Sequence, residues 1–238
     1  MATLKVLGSS SKGNGYVLEC DNEKLIIELG VKWSEVAKGV DYDIRNVSAC
    51  LVTHKHLDHS LSVKDALNRG LSVYSCSEVQ MCHPEAKVLG MGKKTRIGNF
   101  LVQPIPLQHN VECIGFLIEH KAMGRMVFCT DTNTIPYKFK DIHHFVAESN
   151  YSDDIMVDNM CNNIYSQSAS ENHMSIDDTT EFLKNNYSKS LRTITLIHLS
   201  DGNSDAKAFK EHVQNELAFP YVYIADKGVV IDVSKDPF

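Results

Sequence analysis

The stretch Thr53-His54-Lys55-His56-Leu57-Asp58-His59 concentrates metal-binding residue types directly after the apolar run Cys50-Leu51-Val52. Two imidazoles at positions i and i+2 project to the same side of an extended segment. The Asp-His pair that follows turns the chain, so that its two side chains can serve a second ion nearby. Imidazole and carboxylate together suit zinc, or a neighbouring divalent metal such as manganese. A solvated, histidine-rich turn is the alternative, but it gives no reason for this order of ligands after a buried strand.

Three further candidate ligands end apolar runs that are typical of strands. They are His109 after residues 105–108, Asp131 after residues 126–130, and His198 after residues 195–197. Taken singly, each would more often be a core or edge residue than a ligand. The cluster at 54–59 changes that expectation, because two ion sites need more ligands than the cluster itself provides.

The apolar pattern predicts the elements that must position these residues. Strands are predicted at 4–7, 16–19, 25–30, 50–53, 73–76, 100–106, 114–119, 126–130, 143–148, 193–199, 221–224 and 229–233. Helices are predicted at 34–38, at 60–68, for about two turns from residue 152, at 175–185 behind a capping box of Ser175 and Asp178, and at 205–217. Residues 82–99 are predicted to be loop and turn. Strands dominate the first part of the chain and alternate with helices afterwards, which predicts one layered α/β domain over residues 1–238.

The composition is typical of an ordinary soluble protein. The chain has 238 residues, 43% of them hydrophobic and 23% charged, and no apolar stretch approaches the length of a membrane span. The N-terminus runs directly into a strand pattern, which leaves no room for a signal peptide. The seven cysteines are scattered, and several lie in or beside apolar runs: Cys20, Cys50, Cys113 and Cys129. We therefore expect buried thiols in a reducing compartment, a cytoplasmic location and no membrane partner.

The charge balance bears on the substrate. A net charge of −6 argues against a broad non-specific nucleic-acid surface, which normally has a basic excess. The basic cluster Lys93-Lys94-Thr95-Arg96 is more typical of a solvated hairpin tip than of an anion-guiding loop.

The order His-x-His-x-Asp-His, followed by His109, Asp131 and His198, resembles the metallo-β-lactamase superfamily. Within it, the chain is similar to the phosphodiesterase branch that includes ribonuclease Z. The resemblance implies a four-layered αβ/βα sandwich with two divalent ions, zinc or manganese, at one edge of the two sheets. It also implies two ligand sets that share Asp131: His54, His56, His109 and Asp131 for one ion, and Asp58, His59, Asp131 and His198 for the other.

Asp131 stands where β-lactamases usually have a cysteine. A carboxylate in place of a thiolate hardens the site toward oxygen-rich phosphate substrates. Cys129, two positions earlier, shares the strand face of Asp131 but lies deeper in the sheet, so we expect it in the core. The implied chemistry is hydrolysis of a phosphodiester by a water that the two ions activate, with Asp58 and Asp131 acting in catalysis through the metals.

The segment His173-Met174-Ser175 resembles the His-Ser-Thr element of ribonuclease Z, in which the histidine faces the scissile phosphate. A histidine there can protonate the leaving oxygen, because its pKa lies near operating pH. An exposed loop histidine before a helix cap is the alternative. Glu28 stands where the family usually has aspartate, and we expect it to orient a metal-bound histidine from behind. The remaining histidines match no motif and are expected to be structural or exposed: His83, His120, His143, His144 and His212.

The loops around the site decide the substrate. Residues 7–14 resemble the first loop of the YycJ/WalJ-like exonucleases, and Ser10 and Asn14 in that loop, with Ser200 after His198, are candidate substrate contacts. The Gly/Pro-rich signature of the tRNA-gripping arm of ribonuclease Z is absent. The overall impression is closer to the phage-type anti-Pycsar phosphodiesterases, which degrade cyclic mononucleotides.

Three functional hypotheses follow from these patterns. The preferred one is hydrolysis of 3′,5′-cyclic nucleotides in phage counter-defence, by a homodimer in which residues 162–172 cover the partner's site. The alternative enzyme is a 5′-to-3′ exonuclease or another nuclease of the YycJ/WalJ or ribonuclease Z type, which should need a positive track leading to the metals. The non-enzyme hypothesis is a metal-stabilised protein that sequesters a nucleotide, and complete ligand sets argue against it.

Overall fold

Two sheets form the centre of the molecule. The structure is a computed structural model that describes residues 1–160 and 171–236, so residues 162–170 of the proposed partner-covering loop lie outside the described range. Within that range the first sheet contains β1 (Ala2–Gly8), β2 (Gly15–Cys20), β3 (Glu23–Ile27), β4 (Val47–Leu51), β5 (Val73–Ser75), β6 (Lys87–Val88) and β14 (Val230–Asp232). The second contains β7 (Thr95–Ile97), β8 (Phe100–Leu107), β9 (Cys113–His120), β10 (Gly124–Cys129), β11 (His144–Glu148), β12 (Thr193–Ile197) and β13 (Val222–Ile224).

Both sheets are mixed, and each combines parallel with antiparallel strand pairs. The spatial orders are β14-β1-β2-β3-β4-β5-β6 and β13-β12-β11-β10-β9-β8-β7. Strands β3 to β6 pair in parallel, and so do β10 to β13, whereas β8 and β10 both run antiparallel to β9 between them. The carboxyl ends of β8, β10, β11 and β12 therefore meet at one edge of the second sheet.

The helices cover the outer faces of the two sheets. They are α1 (Trp33–Gly39), α2 (Leu57–Ser60), α3 (Val63–Asn68), α4 (Ser77–Cys82), α5 (Asp153–Met160), α6 (Ile176–Asn185) and α7 (Ala206–Leu217). Buried side chains of α1, α3 and α4 join the core of the first sheet, and buried side chains of α6 and α7 pack under the second. These layers confirm the predicted αβ/βα sandwich.

Aromatic and branched side chains fill the space between the sheets. The Tyr16 ring on β2 meets the Phe128 ring on β10 edge to face, with centroids 5.4 Å apart. Every residue of β11 and of β12 is buried, as expected for parallel strands covered on both faces. Each fully buried large apolar side chain contributes roughly 1.5–3 kcal/mol to this packing.

The structure departs from the predicted elements in three places. The helix predicted over 60–68 begins only at Val63, as α3, and the separate short helix α2 precedes it, because Ser62 leaves the helical pattern to donate from its N–H to Leu29 O (2.8 Å) and from its hydroxyl to Val31 O (2.6 Å). The short strands β6 and β7 lie in the stretch predicted to be loop, and α4 was not predicted. The capping box that opens α6 is confirmed, since Ser175 Oγ accepts from Asp178 N (3.1 Å).

The cysteines are free thiols in the part of the chain that the structure describes. Cys20, Cys50, Cys113 and Cys129 are buried as predicted, Cys76 is buried as well, and Cys82 is exposed. No helix within the described ranges has the length and apolar character needed to cross a membrane.

Candidate metal centre

Four side chains converge on a first point at the sheet edge. His54 and His56 follow β4, His109 follows β8 and Asp131 follows β10. His56 Nδ1 lies 3.0 Å from His54 Nε2 and 3.3 Å from His109 Nε2. Asp131 Oδ2 lies 3.7 Å from His54 Nε2 and 3.8 Å from His109 Nε2.

A second set converges on the other oxygen of Asp131. Asp131 Oδ1 lies 3.3 Å from His59 Nε2 and 3.6 Å from His198 Nε2, and Asp58 Oδ2 lies 3.2 Å and 3.6 Å from the same two nitrogens. In each set, one ligand atom per residue lies within 4.8 Å of all the others. The structure thus brings all seven predicted ligand residues together, with Asp131 between the two sets.

The spacing of these atoms fits tetrahedral metal ions. Zinc bonds of about 2.0–2.1 Å separate the ligand atoms of a tetrahedron by about 3.3–3.4 Å, close to the separations found in both sets. His198 Nε2 is buried and has no hydrogen-bond partner among the described residues, which is the state of a nitrogen prepared for a metal. Imidazole nitrogens with carboxylate oxygens suit zinc or manganese.

Backbone conformation aims three side chains at the centre. Glu28, Asp131 and His198 each follow the last residues of a strand, and each has a positive φ, of 67°, 51° and 55°. A non-glycine residue in this region costs on the order of 1–3 kcal/mol, so it persists only where the surroundings enforce it. The turn ends each strand at the sheet edge and points the side chain inward.

Contacts from two neighbouring loops to its backbone hold the segment that carries Asp58 and His59. Asp58 O accepts from Asn14 N (2.8 Å) and from Asn14 Nδ2 (3.2 Å), and Leu29 N donates to His59 O (2.9 Å). Gly30 lies so close that a Cβ atom there would come 1.6 Å from Asp58 O. The position of the second ligand set therefore depends on a glycine and an asparagine from two different loops.

Glu28 lies behind His59, as the sequence predicted for an orienting residue. Its Oε2 is 3.4 Å from His59 Nδ1 and 3.4 Å from Thr53 N, and its side chain is fully buried. Burial raises the pKa of Glu28, which His59 counteracts. Burial lowers the pKa of His59, but the carboxylates of Asp131 and Glu28 raise it well above its usual value, so this ring carries a proton when no metal replaces it.

His173 is in direct contact with the centre rather than on an exposed loop. Its ring stacks on that of His198, with centroids 5.3 Å apart and an interplanar angle of 15°. Its Nδ1 bonds to Glu148 Oε1, and this pair joins Asp131 and His198 in a third cluster of possible metal-binding groups. Burial lowers the pKa of His173, but the Glu148 carboxylate raises it above its usual value, so the ring favours the protonated form.

Glu148 is the main site residue that the sequence analysis missed. It ends the buried strand β11 at the same edge, and its Oε2 accepts from Thr132 N (3.0 Å). Burial raises its pKa, but His173 and His198 together lower it below its usual value. A lone carboxylate at the end of an apolar strand was the signal that identified Asp131, and the same signal was present here.

Ser9 and Asn150 hold the backbone of His198 and were also missed. Ser9 Oγ accepts from His198 N (2.9 Å), and Asn150 Nδ2 donates to His198 O (2.8 Å). Of the predicted substrate contacts, Asn14 reaches the centre, with Nδ2 3.0 Å from His59 Nε2. The hydroxyls of Ser10 and Ser200 instead accept backbone N–H groups of their own loops, from Lys12 (3.2 Å) and Asn203 (3.3 Å).

The remaining histidines lie away from this edge or in structural contacts. His144 bonds to Thr193 Oγ1 (2.8 Å) and Met123 O (3.1 Å), and the His120 ring packs at a tilt against Phe100, with centroids 4.8 Å apart. His212 on α7 lies 3.4 Å from Asp177.

Comparison with known proteins gives a family match over most of the chain. Residues 34–199 match the family model described as beta-lactamase superfamily domain. Exodeoxyribonuclease WalJ of Streptococcus pneumoniae serotype 2 is 23% identical over an alignment of 251 positions, gaps included, that covers 95% of this chain and 90% of that protein. Exodeoxyribonuclease YycJ of Bacillus anthracis is 28% identical over an alignment of 164 positions, gaps included, that covers 61% of this chain and 62% of that protein.

Solved structures share the fold at low sequence identity. The metallo-beta-lactamase fold protein YhfI of Bacillus subtilis has a TM-score of 0.76 and 15% identity, covering 97% of this chain and 98% of that one. A diphosphatase from the PhnP family has a TM-score of 0.70 and 14% identity, covering 98% of both chains. The short form of human tRNase Z has a TM-score of 0.62 and 13% identity, covering 97% of this chain and 99% of that one.

Gly30→Ala tests how the second ligand set is held. We expect the new methyl group to push Asp58 O away and to cost about 1–3 kcal/mol of stability by overpacking. Metal content measured by inductively coupled plasma mass spectrometry after dialysis should fall relative to the wild type. Gly202→Ala is the matched control, because a Cβ atom there meets nothing within 4 Å. Equal metal content in both variants would contradict the role given to Gly30.

Proposed function

The chain belongs to the beta-lactamase superfamily, and from that membership we propose that it hydrolyses phosphodiester bonds with two bound divalent ions. The observation that carries the proposal is the position of Asp131, whose two oxygens face two separate ligand sets. Two divalent ions bound there would supply an activated water and would stabilise charge on the attacking and leaving oxygens. His54, His56 and His109 would hold one ion, Asp58, His59 and His198 the other, and Asp131 would be a ligand of both.

His173 and Glu148 supply the proton that the leaving group needs. The Glu148 carboxylate holds His173 in one orientation through Nδ1 and raises the pKa of its ring, so the ring would offer its proton to a substrate from Nε2. An alcohol is a poor leaving group as an alkoxide, so transfer of this proton lowers the barrier to bond cleavage. Under this proposal the chain has both groups that phosphodiester hydrolysis needs: two ligand sets that would hold the metal ions, and a general acid beside them.

Of the two substrate classes predicted from the sequence, DNA cleaved from an end is the better supported. WalJ of S. pneumoniae, an exodeoxyribonuclease, aligns with this chain over nearly its whole length. The loop at 7–14, which resembles that of the YycJ/WalJ-like exonucleases, contacts ligands of the second set through Ser9 and Asn14.

Hydrolysis of 3′,5′-cyclic nucleotides is the second candidate. The net charge of −6 favours a small anion over a long polyanion, because a compact acidic protein can hold one phosphate through its metals alone. None of the relatives and structures named above is described as acting on a cyclic nucleotide, and a role in counter-defence and the homodimer stay predictions.

A substrate panel decides between these candidates. Metal-loaded protein, with zinc or manganese, is incubated with single- and double-stranded DNA labelled at either end and with purine and pyrimidine cyclic mononucleotides. We expect stepwise shortening of DNA and intact cyclic mononucleotides, and loss of cleavage in Asp131→Ala and Asp58→Ala. Cyclic-nucleotide hydrolysis with intact DNA would select the second candidate, and binding without any product would favour the sequestering protein. Undiminished cleavage by Asp131→Ala would exclude the two-metal arrangement.

The role of His173 as proton donor predicts a dependence on the leaving group. We expect His173→Ala to slow cleavage of DNA by about 100- to 10,000-fold, because the departing alcohol then lacks its proton. Bis(p-nitrophenyl) phosphate, whose leaving group departs as a stable anion, should lose less than about tenfold in the same variant. Initial rates on both substrates check this, and equal losses would show that His173 acts in some other way.

The Glu148 carboxylate predicts a pH effect with a defined sign. It raises the pKa of His173, so activity that needs the protonated ring is present below that pKa and is lost as pH rises through it. We expect Glu148→Gln to lower this pKa and to move the alkaline limb of the pH profile of kcat/KM to lower pH. Glu181→Gln, an exposed carboxylate of α6, should leave the limb unchanged. A limb that stays in place in Glu148→Gln would contradict the pairing.

A further inference from the structure

A loop of residues 9–14, here called the serine loop, is fixed to the second ligand set at both of its ends. At one end Ser9 Oγ accepts from His198 N (2.9 Å), and Tyr16 OH donates to the same oxygen (2.8 Å). At the other end Asn14 Nδ2 lies 3.0 Å from His59 Nε2. The middle of the loop is therefore held at the rim of the metal centre.

Three backbone donors of the serine loop are already used in contacts within the protein. Gly13 N donates to Ser10 O (2.9 Å), Lys12 N to Ser10 Oγ (3.2 Å) and Asn14 N to Asp58 O (2.8 Å). A backbone nest for a phosphate, which the small residues of this loop could have formed, would lack these three donors. The side chain of Lys12 is the one positive charge within residues 9–14.

The Lys12 ammonium lies 2.6 Å from Asp201 Oδ2, across the gap between the serine loop and the loop that follows His198. The two side chains are 81% and 59% exposed, and exposed ion pairs contribute little to stability. The pair joins the serine loop, whose Ser9 accepts from His198 N, to the loop that begins at His198 itself. A cation at the rim of a phosphodiesterase site, paired with a weakly bound carboxylate, is able to exchange that carboxylate for a phosphate.

We propose that Lys12 binds the phosphate next to the scissile one on a nucleic-acid strand, and that Asp201 occupies the place of that phosphate when no substrate is bound. This assignment rests on the proposed function, since a cyclic mononucleotide has no second phosphate. It gives an acidic protein a local attraction for a polyanion without a basic groove. Asp201 then competes with the nucleic acid for Lys12. Substrate affinity therefore depends on the difference in free energy between the Lys12–phosphate contact and the Lys12–Asp201 contact.

Substitutions at both positions test the assignment with two substrates. A fluorescein-labelled oligodeoxythymidylate is titrated into metal-loaded protein in a His173→Ala background, and the anisotropy gives Kd at several salt concentrations. Lys12→Gln should weaken binding about fivefold and lower the slope of log Kd against log salt by about 0.7, the value of one phosphate contact on a single strand. Asp201→Asn should tighten binding about two- to fivefold, and Lys12→Arg should retain it.

The second substrate separates this inference from the proposed function. In protein that retains His173, Lys12→Gln should lower kcat/KM for the oligonucleotide. It should leave kcat/KM for bis(p-nitrophenyl) phosphate unchanged, because that compound has one phosphate and none beside it for Lys12 to bind. Lys227→Gln is the matched control, because Lys227 makes a similar 2.7 Å ion pair with Glu35 of α1 and belongs to neither of the two loops. Unchanged strand affinity in Lys12→Gln, or equal losses on both substrates, overturns the role of Lys12. Wild-type protein that binds the strand but cleaves neither substrate overturns the proposed function alone.

Discussion

A buried carboxylate between two groups of imidazoles sets the architecture of this protein. Burial alone would raise the pKa of Asp131, but His198 and His59 lower it well below its usual value, so the side chain stays ionised inside the fold. A buried charge costs several kcal/mol unless its partners are close and well oriented. Those partners come from both sheets, because His59 follows β4 and His198 follows β12. The two sheets must therefore present the carboxyl ends of these strands at one common edge.

The geometry of that edge is enforced by strained backbone rather than by long loops. Glu28, Asp131 and His198 take left-handed conformations at three strand ends, each at a cost of order 1–3 kcal/mol. Completely buried strands adjoin two of these ends, since β11 pairs with the strand before Asp131 and β12 leads into His198, and their packing offsets the cost there. Strain held by a rigid core fixes ligand positions more narrowly than a mobile loop could, which is what closely spaced ligand atoms require.

The ligands and the layered fold were predictable from the sequence, because both depend on short-range patterns. The spacing of His54, His56, Asp58 and His59 is local, and apolar runs mark the strands whose ends meet. Features that depend on contacts between distant segments were not predictable in the same way. The partnership of Glu148 with His173 exists only after β11 and the start of α6 come together, and the break at Ser62 is set by Leu29. In the serine loop, nothing periodic distinguishes Ser9, which contacts His198, from Ser10, which does not.

Charge explains how an acidic protein can act on a phosphodiester. Four carboxylates surround the centre, from Glu28, Asp58, Asp131 and Glu148, and without ions the raised pKa values of His59, His173 and His198 let these three rings offset part of that negative charge. Two divalent ions would balance those carboxylates, and the proton on His173 would then leave an excess of positive charge where the scissile phosphate lies. Metal loading would therefore favour substrate binding as well as cleavage. Under the role proposed for Lys12, one lysine at the rim would then be enough to favour a nucleic-acid strand, since attraction to the centre itself would come from the ions.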